Sequence, residues 1–250
     1  MVKIQTGIVK YLNTKPLLYG IENSPVSQKI ELIPGYPSEI AKMLERDIID
    51  LGLVPVAAIP NLKDGRIISD YCIGCDGAVA SVCIFSEVPI EEVTEVYMDY
   101  QSRTSVQLAK ILLRNYWKST AEFKDATPDF RDSIKGNTAG LVIGDRAFEQ
   151  RKKSAFIYDL GEAWKRHTGL PFVFAAWVSN KEQDASFIQE FNEANRWGVQ
   201  HIEEVVQQYP SPLFDLHHYY NECISYELDE EKKRGMQLFL EMITGKVNKV

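Results

Sequence analysis

A polar turn after the first apolar run carries residue types suited to holding a ligand. Residues 10–17 follow the run 4–9, and a ring, an amide, a hydroxyl and a charge stand there within five residues: Tyr11, Asn13, Thr14 and Lys15. Open α/β sheets bind ligands where a strand ends and a helix begins, because free backbone N–H groups and the helix dipole converge there. An ordinary strand–helix turn favours the same residues, so both interpretations stay open.

Two further polar turns follow predicted strands. After strand 93–98, hydroxyl groups and a guanidinium open a helix at Ser102, Arg103, Thr104 and Ser105. Hydroxyl donors, an arginine fork and a helix N-terminus together suit a carboxylate, although a well-capped helix needs no ligand to favour serine and threonine. The third turn, Gly144 and Asp145, ends strand 139–143, and Asp145 is the predicted N-cap of the next helix.

Small residues begin the predicted strand 78–85. The segment 77–81 contains Gly77 and Ser81 with two alanines and one valine. We predict that it faces a cleft where bulkier side chains would block a ligand. A tight contact between strands would explain the same composition.

Composition and charge exclude several classes of function. A net charge of −7 argues against a nucleic-acid partner, and no apolar run is long enough to cross a membrane. Met1 leads directly into the first strand without a basic and apolar leader, so we expect a cytoplasmic protein. No dinucleotide fingerprint, phosphate loop, nucleophile elbow or zinc motif is present. We therefore expect neither a cofactor nor a metal, and we interpret Cys72 and Cys75 as buried free thiols.

Strand-like and helix-like segments alternate, which predicts an α/β fold with a mostly parallel sheet. The predicted strands are 4–9, 30–33, 51–54, 78–85, 93–98, 139–143, 156–158 and 172–178; the predicted helices begin near 16, at a Ser38 cap, and near 106, 145, 185 and 229. No flexible linker is visible, so two lobes would be joined by ordered strands. The long runs 78–85 and 172–178 are the predicted crossings. They divide the chain into lobe one (1–83 and 177–250) and an inserted lobe two (84–176).

The order and spacing of many short motifs resemble one known family. The matching residues are Tyr11-Leu12-Asn13-Thr14-Lys15-Pro16-Leu17, Pro37-Ser38-x-x-Ala41, Asp50-Leu51-Gly52-Leu53-Val54-Pro55, Gly77-x-Val79-x-Ser81, Asp99-x-x-Ser102-Arg103-Thr104-Ser105, Gly144-Asp145-x-Ala147, Asp159-Leu160-Gly161, Thr168-Gly169-Leu170-Pro171 and Ile224-x-Tyr226. Over nearly its whole length the chain resembles the chorismate dehydratases of the futalosine route to menaquinone, relatives of the type II periplasmic binding proteins. Two positions depart from the family pattern: Lys10 and Val56 stand where serines are expected.

The resemblance implies a two-lobed type II periplasmic-binding-protein-like fold with a ligand cleft between the lobes. It implies loss of water from chorismate to give 3-[(1-carboxyvinyl)oxy]benzoate. The implied catalytic residue is Asn13, and the implied substrate-binding residues are Tyr11, Thr14, Ser38, Gly77, Ser81, Ser102, Arg103, Thr104, Ser105, Gly144 and Asp145. A neutral amide is a poor base, so we expect Asn13 to orient the substrate. The proton acceptor would then be the enolpyruvyl carboxylate of chorismate, with Asp145 as the protein alternative.

Two other function classes share this fold, and fold alone does not decide function. A non-catalytic binding protein for a small aromatic or carboxylate ligand would normally carry an export signal. A ligand-sensing regulatory domain would normally be fused to a basic DNA-binding unit. Neither feature is seen in the sequence. The sequence gives no indication of oligomeric state.

Overall fold

The computed structural model describes residues 3–245, which form two mixed sheets with helices around them. The first sheet has six strands in the order β11-β4-β10-β3-β1-β2. Its strands are β1 (Ile4–Val9), β2 (Ile30–Gly35), β3 (Leu51–Pro55), β4 (Arg66–Cys75), β10 (Phe172–Ser179) and β11 (Ser225–Glu227). With its helices it forms lobe one.

The second sheet has five strands in the order β7-β6-β8-β5-β9 and forms lobe two. Its strands are β5 (Val82–Ser86), β6 (Glu95–Met98), β7 (Glu122–Asp125), β8 (Thr138–Ile143) and β9 (Phe156–Asp159). In both sheets the prediction of mostly parallel strands is wrong. Three strands pair in parallel in each sheet, and the strands next to them are antiparallel.

Nine α-helices lie within residues 3–245: α1 (Lys15–Glu22), α2 (Pro37–Glu45), α3 (Arg103–Ile111), α4 (Asp145–Arg151), α5 (Leu160–Thr168), α6 (Ala185–Gln200), α7 (Ile202–Gln208), α8 (Leu216–His218) and α9 (Glu230–Thr244). Five have an N-cap side chain that accepts from the first turn, among them Ser102 on α3 and Asp229 on α9. Such caps satisfy N–H groups that have no partner within the helix. None of these helices is long and apolar enough to span a membrane.

Two predicted caps are wrong. Tyr36 is the N-cap of α2, its N–H donates to Glu39, and Pro37 begins the helix, so Ser38 lies one residue inside it. Gly144 is the N-cap of α4 and Asp145 is its first residue. Gly144 has φ 64° and ψ −152°, a conformation that only glycine adopts readily. The N-cap of α4 is therefore set by the backbone conformation of Gly144 and not by a side-chain hydrogen bond.

The chain changes sheets in two connections, 76–81 and 160–171. The predicted lobe boundaries instead fall inside strands, because β5 begins at Val82 in lobe two and β10 begins at Phe172 in lobe one. Residues 78–81, predicted as strand, form a loop in which Ala80 has a positive φ of 62°. An apolar run shows that a strand is buried, but it does not show which sheet the strand joins.

Lobe one is held by an unusually close contact between α1 and α6. A Cβ on Gly20 would lie 2.0 Å from the carbonyl oxygen of Ala194, and one on Gly198 would lie 2.0 Å from that of Pro16. The two glycines let the helix backbones touch, which places α1 and the turn before it firmly on the lobe. Cys72, Cys75, Cys83 and Cys223 are all buried free thiols, as predicted for the first two.

Candidate active site

A cavity lies between the two sheets, at the ends of β1, β3, β5 and β8. The space among its lining residues, including the part that is open to solvent, is about 480 Å³. Its apolar walls come from both lobes: Val9, Leu53, Pro55, Ile73, Phe174 and Ala175 from lobe one, and Val82 and Ile143 from lobe two. Its polar lining residues are Tyr11, Asn13, Thr14, Ser102 and Ser105, so no charged side chain within residues 3–245 lines it.

Asn13 presents the unsatisfied polar atom of this cavity. It lies in the single turn Leu12–Thr14 between β1 and α1, and its backbone carbonyl accepts a 3.0 Å hydrogen bond from the Tyr226 hydroxyl. Its side-chain Oδ1 is buried and has no hydrogen-bond partner among residues 3–245. Because a buried acceptor without a partner costs free energy, a ligand donor at this position would be favoured.

The start of α3 faces Asn13 across the cavity. Ser102 is the N-cap, and its Oγ accepts from the backbone N–H of Ser105 at 3.3 Å and from the Ser105 hydroxyl at 3.1 Å. Both serines line the cavity with Asn13. The structure thus brings together the two polar turns that the sequence singled out, with a helix N-terminus that favours an anion.

Three of the predicted hydroxyl ligands are fully buried and already bonded to protein. Thr14 Oγ1 lies 2.7 Å from the carbonyl oxygens of Val9 and Tyr11. Ser81 Oγ accepts from the Tyr219 hydroxyl at 2.7 Å, and Thr104 Oγ1 accepts from the Ala57 N–H at 3.1 Å. Only Thr14 of the three lines the cavity. Ser81 and Thr104 join parts of the fold around it.

Three other predicted ligands lie outside the lining. Arg103 forms an ion pair with Glu45. Ser38 donates its backbone N–H to the Gln101 carbonyl at 3.1 Å. Gly77 lies in the connection between the sheets, where its φ of 127° favours glycine. No described atom lies within 4 Å of the position of a Cβ there.

Gly144 and Asp145 meet the first turn from the other lobe. A Cβ on Gly144 would lie 2.9 Å from the Tyr11 ring, so the absence of a side chain lets that ring pack against β8. Asp145 Oδ1 accepts from the Leu12 N–H at 3.0 Å and does not line the cavity. Burial raises the pKa of the Asp145 carboxyl, and the Leu12 hydrogen bond and the charge of Lys15 oppose that rise.

Sequence reasoning missed Gln101, Arg146 and Asp99 as a group that holds Tyr11. The Tyr11 hydroxyl donates to Gln101 Oε1, and Arg146 Nη2 donates to the same oxygen at 2.7 Å and to Asp99 Oδ2 at 2.6 Å. Burial raises the pKa of Tyr11, which keeps the hydroxyl protonated as a donor. The three partners lie 88 to 135 positions after Tyr11, a separation that no short motif displays, although Asp99 stands in a matched motif.

Two tyrosines near the C-terminus also support the site and were missed as a pair. Tyr219, in the helical turn Tyr219–Cys223, donates to Ser81, and Tyr226 on β11 donates to the Asn13 carbonyl. Both side chains are buried. The only signal for them was the matched Ile224-x-Tyr226 motif.

The two departures from the family pattern lie away from the cavity lining. Lys10 is exposed, and its backbone N–H donates to the Gly35 carbonyl at 3.3 Å. Val56 is fully buried in the short helix Val56–Asn61 after β3. Neither side chain contributes to the walls described above.

The same overall fold occurs in solved structures of binding proteins. The periplasmic aliphatic sulphonate binding protein of Escherichia coli superposes with a TM-score of 0.63 at 13% identity, covering 97% of this chain and 87% of that chain. At this identity the likeness concerns the fold alone. It agrees with a two-lobed fold of the periplasmic-binding-protein type that has a cleft between the lobes.

Sequence comparison reaches closer relatives. Chorismate dehydratase of Thermus thermophilus is 25% identical over 95% of this chain and 94% of its own length. Chorismate dehydratase of Campylobacter jejuni is 24% identical over 94% of this chain and 95% of its own length. A family model described as menaquinone biosynthesis matches residues 4–244. The chain therefore belongs to the menaquinone biosynthesis family.

Proposed function

We propose that this protein is a chorismate dehydratase, a carbon–oxygen lyase that removes water from chorismate to give 3-[(1-carboxyvinyl)oxy]benzoate. Family membership and the curated relatives support the reaction. The observation in the site that carries the proposal is the buried, unpartnered Asn13 Oδ1 in a cavity lined by apolar side chains and serine hydroxyls. Four free, buried cysteines fit a reducing compartment, and we place the activity in the cytoplasm.

The reaction depends more on how the protein positions the substrate than on a strong acid or base in the protein. The ring carbon that bears the enolpyruvyl ether loses a proton, the neighbouring hydroxyl leaves, and the two together are released as water while the ring becomes aromatic. Within residues 3–245, no carboxylate or imidazole lines the cavity to take that proton. We assign it to the enolpyruvyl carboxylate of the substrate, which is tethered beside the reacting carbon, so orientation supplies most of the rate enhancement.

Each lobe supplies one part of this orientation. Asn13 accepts a hydrogen bond from the ring hydroxyl through Oδ1, which fixes the leaving group relative to the C–H bond. The hydroxyls of Ser102 and Ser105 and the N-terminus of α3 hold a carboxylate. Tyr11, Thr14 and Gly144 shape the wall beside Asn13. Ser81, Thr104 and Asp145 act on the substrate indirectly, through the contacts that hold these groups in place.

The test uses purified protein, chorismate and detection of the aromatic product. Asn13→Ala is expected to lower kcat/KM at least 100-fold, because misplacement of the reacting groups removes much of the orientation effect. Asp145→Asn retains an oxygen that accepts from Leu12, and it is expected to stay within about tenfold of wild type. The two changes lie on opposite lobes at the same cleft, which makes them a matched pair.

Three outcomes would contradict parts of the proposal. Binding of chorismate without any turnover by wild type would show a binding protein. Turnover by Asn13→Ala at the wild-type rate would remove Asn13 from the mechanism. Loss of turnover in a folded Asp145→Asn that still binds the product would make Asp145 the proton acceptor.

A further inference from the structure

A buried polar group links the two lobes beside the cavity. It consists of Asp99, Gln101 and Arg146 from lobe two and Tyr11 from lobe one. We propose that Gln101 is a positioning residue, which fixes Tyr11 against the cavity wall and holds the lobes together in the arrangement that binds substrate. The kinetic test of this role rests on the proposed function, whereas a second test is independent of it.

Two donors fix the orientation of the Gln101 amide. Its Oε1 accepts from the Tyr11 hydroxyl and, at 2.7 Å, from Arg146 Nη2. Its Nε2 donates to the Tyr100 hydroxyl at 3.2 Å. A flipped amide would turn its N–H groups towards the Arg146 guanidinium, which can only donate. The oxygen of Gln101 therefore faces lobe one.

A buried carboxylate holds this group in lobe two. Asp99 is 1% exposed. Its Oδ1 accepts from the Gln101 N–H at 2.9 Å, and its Oδ2 accepts from Arg146 Nη2 at 2.6 Å. Asp99 thus fixes both the backbone of Gln101 and the cation that orients its side chain.

Lobe one meets Gln101 at two points. The Tyr11 hydroxyl donates to the side chain, and the Ser38 N–H at the start of α2 donates to the backbone carbonyl at 3.1 Å. Tyr11 also packs against Gly144 of lobe two and begins the turn that carries Asn13. Loss of the hydrogen bond between Tyr11 and the Gln101 side chain would therefore loosen two things at once: the turn that carries Asn13, and the contact between the lobes.

The expected kinetic effect is a rise in KM with little change in kcat. When only a fraction of the protein occupies the binding arrangement, the apparent dissociation constant rises in inverse proportion to that fraction. Saturating substrate restores the binding arrangement. The loss of one buried hydrogen bond corresponds to a change of about fivefold in such an equilibrium. A side chain with a merely structural role would instead lower the amount of folded enzyme and leave KM unchanged.

Three variants test this in steady-state turnover of chorismate. Gln101→Met keeps the length of the side chain but removes the acceptor, and we expect a KM higher by up to about fivefold, with kcat within twofold of wild type. Gln101→Glu keeps an acceptor for both donors and is expected to restore the wild-type KM. Gln107→Met changes an exposed glutamine on α3, the helix that follows Gln101, and is expected to match wild type. An unchanged KM in Gln101→Met would overturn the proposal.

Tyr11→Phe removes the same hydrogen bond from lobe one, so the test remains decisive if Gln101→Met does not fold. The same rise in KM is expected, up to about fivefold. The double variant is expected to be no worse than either single one, because each change removes the same interaction. Additive effects in the double variant would contradict a shared bond.

Distances between spin labels separate this proposal from the proposed function. Cysteines introduced at Gln28 in lobe one and Ser133 in lobe two give label positions, while the four native cysteines are buried. Without ligand, Gln101→Met is expected to give a longer mean distance than wild type, whether or not chorismate reacts. A longer distance without any turnover in wild type would support the positioning role and refute the reaction. An unchanged distance in Gln101→Met would refute the positioning role.

Discussion

At the scale of single residues, the polar groups around the cavity divide by what they already bond. The hydroxyls of Ser81 and Thr104 are fully buried and bonded to Tyr219 and to the backbone of Ala57. Asn13 Oδ1 is also buried but has no hydrogen-bond partner in the described part of the chain. These residues could be identified as candidates from the sequence, because serine, threonine and asparagine stand at the ends of predicted strands. The partners of Ser81 and Thr104 could not, because these two bonds join residues 138 and 47 positions apart.

Gly144 is the residue whose small size the site most clearly requires. We predict that Gly144→Ala lowers the free energy of unfolding by about 3 kcal/mol, since backbone strain of about 1–3 kcal/mol adds to the contact between the new methyl group and the Tyr11 ring. The same contact should displace Tyr11 and weaken product binding. Urea denaturation and calorimetric titration measure the two effects.

Gly136→Ala provides the matched control for this change. Gly136 also has a positive φ, 55°, but no atom lies within 4 Å of the Cβ position. Gly136→Ala should lower the free energy of unfolding by about 1 kcal/mol, the backbone strain alone, and should leave product binding unchanged. Equal effects of the two substitutions would mean that the contact with Tyr11 has no energetic consequence.

At the scale of elements, most helix and strand positions followed from hydrophobic periodicity, and the errors have local causes. The cap of α2 was placed at Ser38, but Pro37 is well suited to the first helical position and moves the cap to Tyr36. Strands β4, β7 and β11 were not predicted. The last two are only four and three residues long, too short for alternation to be visible. Strand direction was missed because periodicity is the same in parallel and antiparallel pairs.

The N-cap of α9 gives a pH-dependent contribution to stability. Asp229 accepts from the Lys232 N–H at 2.8 Å and pairs with Lys232 Nζ at 2.6 Å. Burial alone would raise the pKa of Asp229, but these hydrogen bonds from Lys232 lower it below its ordinary value of 3.8. The carboxylate therefore stabilises the fold at neutral pH, and this contribution is lost as the pH falls below 3.8 and through the folded-state pKa.

We predict that Asp229→Asn costs about 1 kcal/mol at pH 7, because asparagine still caps the helix but leaves Lys232, with a side chain 4% exposed, without its counter-ion. The difference from wild type should shrink at pH 3. Glu230→Gln is the control, since its pair with Lys233 leaves Glu230 85% exposed and should cost less than about 0.5 kcal/mol. Urea denaturation at both pH values measures these differences, and a gap that widens at pH 3 would contradict the assignment.

At the scale of the whole molecule, one buried carboxylate touches both connections between the sheets. Asp159 accepts from the N–H groups of Val79 and Ala80 in the connection 76–81, at 3.0 and 2.7 Å. It also caps α5 in the second connection, accepting from Gly161 and Glu162. The two-lobed arrangement followed from the family resemblance and the paired crossings. This shared anchor did not, because the matched motif Asp159-Leu160-Gly161 gives no sign of the partners of Asp159, Val79 and Ala80, about 80 residues earlier.

We predict that Asp159→Asn lowers the free energy of unfolding by about 1–3 kcal/mol, because the amide has one acceptor oxygen and its NH₂ group would face the Ala80 N–H, a buried donor. Asp184→Asn is the control. Asp184 caps α6 within lobe one by accepting from Ser186 at 2.8 Å, and asparagine caps a helix about as well as aspartate, so a change below about 0.5 kcal/mol is expected. Urea denaturation at pH 7 compares the two variants. If both lost the same small amount, Asp159 would act as an ordinary helix cap and the two connections would be anchored independently of each other.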